Sequence, residues 1–236
     1  MTPGYDAGRL LTGLKVHASS YTYMFATSSK TRPAAGSETT GVGQVNPRTP
    51  VGSGSLRIIG GEYRGRRLPI PILPGLRPTP DRIRETLFNW LAPVIAGAHC
   101  LDLYAGSGAL GFEAISRGAA RVVMVERAPQ AVRILRDNAQ RLGLGSPQVE
   151  IFLGEALDWL AKSSEAFDMV FLDPPFAANL LGKTCLALAS SGRLGPGARI
   201  YLETGAGTGM PTLPEGWRLT RTKQAGQVRY GLAETG

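Results

Sequence analysis

From residue 55 onward, apolar and polar positions follow two alternating rhythms. HCLDLYA (99–105), RVVMVE (121–126), VEIFLG (149–154), FDMVFLD (167–173) and ARIYLET (198–204) are short apolar runs. Their near-continuous hydrophobicity is that of strands covered on both faces. The segments between them space their apolar residues as helices do. ALGFEAISRG (109–118) ends at Gly118. The next helix opens at Pro129, carries Val132, Leu135, Ala139 and Leu142 on one face, and closes at Gly143. Further helices are expected around 155–162 and 177–191. The terminal WRLTRTKQAGQVRYGLA reads as a hairpin turning near Ala225-Gly226. This alternation predicts an α/β domain: a mostly parallel seven-stranded sheet with helices on both faces, finished by an antiparallel hairpin. No internal repeat is present.

Ahead of that domain lies a different pattern. SLRIIGGEYRGRRLPI reads as two short strands around glycines. PTPDRIRETLFNWL reads as a helix, with Thr79 placed to cap it, Pro80 at its first position and Asp81 favouring its positive end. Ile83, Leu87, Trp90 and Leu91 fall on one face, and Arg82, Glu85 and Asn89 elsewhere. Residues 55–91 are thus expected to form a hairpin-and-helix arm before a domain at 92–236. Residues 1–54 have neither rhythm. About half are Gly, Pro, Ser or Thr, a composition that buries too little to offset ordering entropy. They are expected to be a disordered extension. They read either as a targeting segment or as the product of a misassigned start, with Met24 or a later residue as the true start, and no function is assigned to them.

Charge sharpens this division. Residues 1–54 carry a net +3, residues 55–91 a net +4 and residues 92–236 a net +1. The arm holds seven arginines and no lysine. A planar guanidinium suits phosphates and base edges, and Tyr63 and several glycines interleave the arginines, so a nucleic-acid partner is expected. Arg57, Arg64, Arg66, Arg67, Arg77 and Arg82 are the candidate contacts. Two cysteines, Cys100 and Cys185, stand far apart at no metal spacing and indicate a reducing, cytoplasmic setting. Two histidines, His17 and His99, give little support to a His-based metal centre or a Ser-His-Asp triad. No window has the ~18 consecutive apolar residues of a membrane span. No metal and no membrane partner are expected, and a monomer is the default.

LDLYAGSGALG joins the first sheet strand to a helix, and Gly106, Gly108 and Gly111 match G-x-G-x-x-G in that context. Such glycines let the backbone approach a ligand, and the helix start supplies N–H donors. Glu126 ends the next strand 20 residues after Gly106, where an acid can hold ribose hydroxyls. A nucleoside-containing cofactor follows. It is either a dinucleotide, with its pyrophosphate on the loop, or S-adenosylmethionine, with its amino-acid end there. Asp102 favours the second, because a carboxylate repels a pyrophosphate and accepts from an ammonium. Glu155 ends the third strand, within reach of an adenine amine or simply at a helix start.

FLDPPF (171–176) closes the fourth strand, the neighbour of the first across the switch point of such a sheet. An exocyclic base amine is a poor nucleophile, its lone pair delocalised into the ring. The Asp173 carboxylate and the Pro174 carbonyl, on a backbone stiffened by prolines, suit the two N–H bonds of such an amine. Phe176 suits stacking on the base.

DLYAGSGALGFEA, VMVER and FLDPPF resemble the motifs of Rossmann-like class I S-adenosylmethionine-dependent methyltransferases acting on exocyclic amines. RIIGGEYRGRRL, LRPTPDRIRETLFNWL and KQAGQVRYGL further resemble the RsmD family of bacterial 16S rRNA guanine-N2 methyltransferases, over about residues 56–233. The resemblance implies methylation of one guanine, position 966, in the small ribosomal subunit or its assembly intermediate. It implies an amine site of Asp173, Pro174 and Phe176. It implies a cofactor site of Asp102, Gly106, Gly108 and Glu126, with Tyr104, Glu155 and Ala156 as further candidates. Where the family often has Asp or Asn near the adenine, this chain has Glu155. Other readings stay open: an N6-adenine methyltransferase, an NAD-linked oxidoreductase that leaves D-P-P-F idle, an assembly factor without catalysis, and a glutamine methyltransferase, whose usual N-P-P-Y is absent.

Overall fold

The computed structural model describes residues 54–175 and 180–236. Its main sheet has seven strands. In chain order these are β3 (His99–Asp102), β4 (Arg121–Glu126), β5 (Val149–Leu153), β6 (Phe167–Leu172), β7 (Leu194–Gly205), β8 (Trp217–Ala225) and β9 (Val228–Thr235). Their spatial order is β5-β4-β3-β6-β7-β9-β8. The first five run parallel, and β9 is antiparallel to both β7 and β8. β3 and β6 are adjacent, so the chain reverses its winding between them, and their carboxyl ends open onto one crevice.

Alternate residues of the parallel strands feed two separate cores. Cys100, Met124, Met169, Phe171 and Tyr201 face α2 (Ala109–Ser116) and α3 (Pro129–Arg141). Leu101, Val123, Val125, Val170, Ile200 and Leu202 face the side covered by α4 (Ala156–Lys162) and α5 (Leu180–Ser190). Both sets are buried, which is why the strands read as apolar runs rather than as alternation. Among the described residues no helix is long and apolar enough to cross a membrane.

The segment before the sheet is fastened to the first core. β1 (Ser55–Arg57) and β2 (Arg67–Pro69) pair antiparallel, with Leu56 opposite Leu68. Leu56, Ile58 and Leu68 pack with Ile83, Leu87, Phe88 and Leu91 of α1 (Asp81–Leu91) and with Phe112 of α2. Glu113, fully buried on α2, accepts from the N–H groups of Ile59 and Gly60 at 2.8 and 2.9 Å. It is paired with Arg117 at 2.7 Å and with the buried Arg84 at 3.4 Å. Gly61 has φ +76°, and a Cβ there would lie 1.6 Å from the carbonyl oxygen of Ser116, so this close approach admits no side chain.

Two expectations are corrected. Pro80 is not the first helical residue: it holds the N-cap position with extended ψ 146°, and no side chain caps the helix. The Thr79 hydroxyl instead donates to the Asp173 carboxylate. The first sheet strand stops at Asp102 rather than Ala105, because Leu103 and Ala105 bond to opposite neighbours, Phe171 and Val125.

Candidate active site

The crevice is lined by the ends of β3, β4, β6 and β7. From β3 the chain turns through Gly106-Ser107-Gly108 into α2. Gly108, at φ +77°, is the N-cap of that helix, and a Cβ on it would lie 2.6 Å from Leu135 and Phe112. Only glycine allows the loop to sit this deep. The loop is pinned from both sides. Glu126 Oε2 accepts from the Gly106 N–H at 2.9 Å, and Asp102 Oδ2 accepts from the Gly111 N–H at 3.0 Å. Tyr104 shares a 2.5 Å hydrogen bond with Thr184 of α5.

Asp102 is buried, and its desolvation outweighs the backbone N–H groups of Gly111 and Tyr104. With the Glu126 charge nearby, its carboxyl is pushed up to about 7. Burial likewise raises the Tyr104 phenol. A buried carboxylate flanked by another acid is a fitting seat for an ammonium. Glu126, half-buried, lies at the rim beside it. Glu155 is exposed, at the N-cap position of α4, with Arg127 4.0 Å away. The Ala156 side chain is buried in the second core, which leaves only its backbone for a ligand.

Asp173 follows β6, half-buried, and Pro174 after it is buried. Phe176 lies outside the described residues. Thr79 Oγ1 donates to Asp173 Oδ2 at 3.5 Å, so the segment before α1 reaches the crevice. Burial, then the charges of Glu203 and Asp102, push the Asp173 carboxyl well above the usual carboxylate range. The sequence reading missed Glu203. It is buried near the end of β7, accepts from the Tyr201 hydroxyl at 2.6 Å, and is itself raised by burial. The strand ARIYLET carried one hint, an acid within an otherwise apolar run.

The arginines divide into distinct groups. Arg57 pairs with Asp81 at 3.0 Å and faces Arg67 across the β1–β2 ladder. With Thr79 and Asp81 they line an open cleft of about 240 Å³ that borders the Asp173 site. Arg66 donates to the Arg141 carbonyl at 2.8 Å. Arg64, Arg77 and Arg82 are exposed. Arg84, omitted from the candidates, is buried and structural.

A mostly parallel sheet with this strand order, a glycine turn after β3 and D-P-P after β6 define a class I methyltransferase fold. The family model described as "Conserved hypothetical protein 95" matches residues 56–234. Ribosomal RNA small subunit methyltransferase D of Escherichia coli is 50% identical over 181 residues, covering 77% of this chain and 90% of that protein. Its namesake in Haemophilus influenzae is 45% identical over 187 residues, 78% and 96% of the two chains. The solved structure of yhhF from Escherichia coli superimposes with a TM-score of 0.72 at 44% identity, covering 77% of this chain and 98% of that one. The chain belongs to the ribosomal RNA small subunit methyltransferase D family.

Proposed function

We propose that this protein transfers the methyl group of S-adenosylmethionine to the exocyclic N2 amine of guanine 966 in 16S rRNA. The substrate is the small ribosomal subunit or its assembly intermediate, and the enzyme works as a cytoplasmic monomer. One observation carries the reading. Asp173-Pro174 and the glycine turn end adjacent parallel strands, β6 and β3, so an amine at the first faces a cofactor at the second.

The donor set fits the cofactor. Asp102 offers a buried carboxylate to an ammonium, Glu126 offers two oxygens to ribose hydroxyls, and Gly106 and Gly108, both at positive φ, supply the tight turn between them. The bound sulfonium supplies an activated methyl group with an excellent leaving group. The chain's own residues then have mainly to position the base. Asp173 and the Pro174 carbonyl accept the two amine N–H bonds and localise the nitrogen lone pair. Phe176 is proposed to stack on the flipped-out guanine. Arg57 and Arg67 hold backbone phosphates in the cleft beside Thr79, and Arg64, Arg66, Arg77 and Arg82 extend that contact.

The test is transfer of labelled methyl to small subunits from cells lacking the endogenous enzyme, with naked 16S rRNA and DNA alongside and nucleoside analysis of the product. N2-methylguanosine on the subunit is expected. Label on adenosine, or none with cofactor binding intact, overturns the substrate assignment.

A further inference from the structure

We propose that Glu203, fixed by Tyr201, is a positioning residue for Asp173 and readies its carboxylate to receive the proton that the methylated amine gives up. The inference rests on the amine-methylation reading above.

The geometry comes from strand register. In the parallel β6–β7 ladder Phe171 pairs with Tyr201 and Leu172 with Leu202. Asp173 and Glu203 therefore follow side by side on strands ~4.8 Å apart, pointing to the same face. Asp102 of β3 pairs with Phe171, two residues before Asp173, and so lies on the same face one level behind that pair. Glu203 is 4% exposed and takes its hydrogen bond from the Tyr201 hydroxyl. From the other side it pairs with Tyr230 of β9, and the Trp90 ring stacks on Tyr230 at 5.7 Å. The groups facing Asp173 are the carboxylates of Glu203 and Asp102 and the Thr79 hydroxyl. The next cation along the row is Lys223, opposite Tyr230, and its ammonium lies over the Trp90 ring.

A buried acid without a cationic partner is costly, and an apolar residue would fill the same space more cheaply. The three acids are not arranged to hold a metal ion. What the arrangement does provide is charge beside Asp173. In the reaction the amine nitrogen's lone pair forms the N–C bond while the C–S pair returns to sulfur as a neutral thioether. The nitrogen is left positive and must lose a proton. His99 stands at the opposite end of β3, so among the described residues the acceptor at this site is a carboxylate. A solvated carboxylate is a weak acceptor, and a neighbouring negative charge strengthens it. Asp173, which keeps partial access to solvent, then returns the proton to water.

The test compares the full-length wild type with Glu203→Gln, each checked for folding by thermal unfolding. Single-turnover methyl transfer to small subunits is followed across pH. The wild-type rate should rise with pH as Asp173 ionises. In Glu203→Gln that rise should move ~1 pH unit lower, to a reduced plateau, with KM for subunits unchanged. Tyr201→Phe, which lets Glu203 take up a proton more readily, should shift the rise in the same direction by less. If the wild type transfers no methyl to subunits, the substrate reading fails by itself. Asp173 is then titrated directly through the carboxyl infrared band of ¹³C-aspartate protein, with Asp173→Asn identifying the band. A lower titration point in Glu203→Gln supports the inference. An unmoved limb, or an unmoved band, in both variants overturns it.

Discussion

The backbone N–H of Gly106 donates to Oε2 of Glu126 at 2.9 Å, while Oε1 of the same carboxylate accepts from Ala128 at 2.7 Å. One side chain thus ties the glycine turn after β3 to the turn after β4. Replacing it should loosen the cradle and remove the proposed ribose acceptor together. Charge-assisted bonds of this kind contribute ~1.5–3 kcal/mol, so Glu126→Ala should weaken S-adenosylmethionine binding by about 10- to 100-fold. Calorimetric titration measures this, and unchanged affinity would remove Glu126 from the site.

Asp173→Asn should separate chemistry from cofactor binding. Loss of one preorganised group in a reaction centre costs ~10²–10³ in turnover. Methyl transfer should fall by about that factor while S-adenosylmethionine affinity stays within a few-fold. Thr79→Val should be milder. Because the Thr79 hydroxyl bond favours ionised Asp173, its loss should move the rise of rate with pH to higher pH.

The raised acids predict the pH dependence of stability. Asp102 is pushed up to about 7, and Asp173 and Glu203 are raised as well. The folded chain therefore holds these protons more tightly than the unfolded chain does. Their contribution is complete below the ordinary carboxylate range near ~4 and is lost as pH rises through their folded values. Asp81 acts in the opposite sense: the Arg57 and Arg84 bonds outweigh its burial and lower it, so its contribution is lost in acid. Without cofactor, Tm should fall between about pH 5 and pH 8 on account of these groups, and Asp102→Asn should flatten that slope. An ammonium beside Asp102 favours its ionised form, so the Tm gain on adding S-adenosylmethionine should be larger at pH 8 than at pH 6. Scanning calorimetry at both pH values decides.

The arm depends on Glu113. Breaking a buried ion pair costs ~3–5 kcal/mol when the partner is left unpaired, and Arg84 keeps Asp81 at 2.6 Å, so the loss here lies at the low end of that range. Glu113→Ala should destabilise by ~3 kcal/mol in urea titrations, because it also orphans the Ile59 and Gly60 N–H groups. Gly61→Ala should destabilise as well, since its Cβ meets the Ser116 carbonyl. Stability unchanged in both would mean the arm is not held through α2.

Arg67→Ala and Arg64→Ala should weaken rRNA binding without changing S-adenosylmethionine affinity. Each lost phosphate contact should lower the slope of log K against log salt by about 0.7–1. Filter binding across salt concentrations reads the slope, and an unchanged slope would place the RNA elsewhere. Arg84→Ala should instead act on stability.

How much was legible in the sequence follows from how local each signal is. Strands buried on both faces announce themselves as apolar runs, and a glycine turn with an acid 20 residues on is a short-range pattern. The seven-stranded sheet, its terminal hairpin and the placement of Asp102, Gly106, Gly108, Glu126 and Asp173 were readable for that reason. Thr79 was misassigned as a cap, because its partner Asp173 stands 94 residues away. Arg84 was passed over because an arginine in a basic arm reads as a surface charge, while its burial is decided by Glu113 on another helix.

Glu203 marks the same boundary within the site. The sequence by itself determined which strands exist and which acids and glycines stand near their ends. Only the tertiary structure decided that β7 lies beside β6 in a register that sets Glu203 next to Asp173, and that Tyr201 holds it there. Register between strands 30 residues apart is fixed by packing on both faces of the sheet, and no local stretch of chain encodes it.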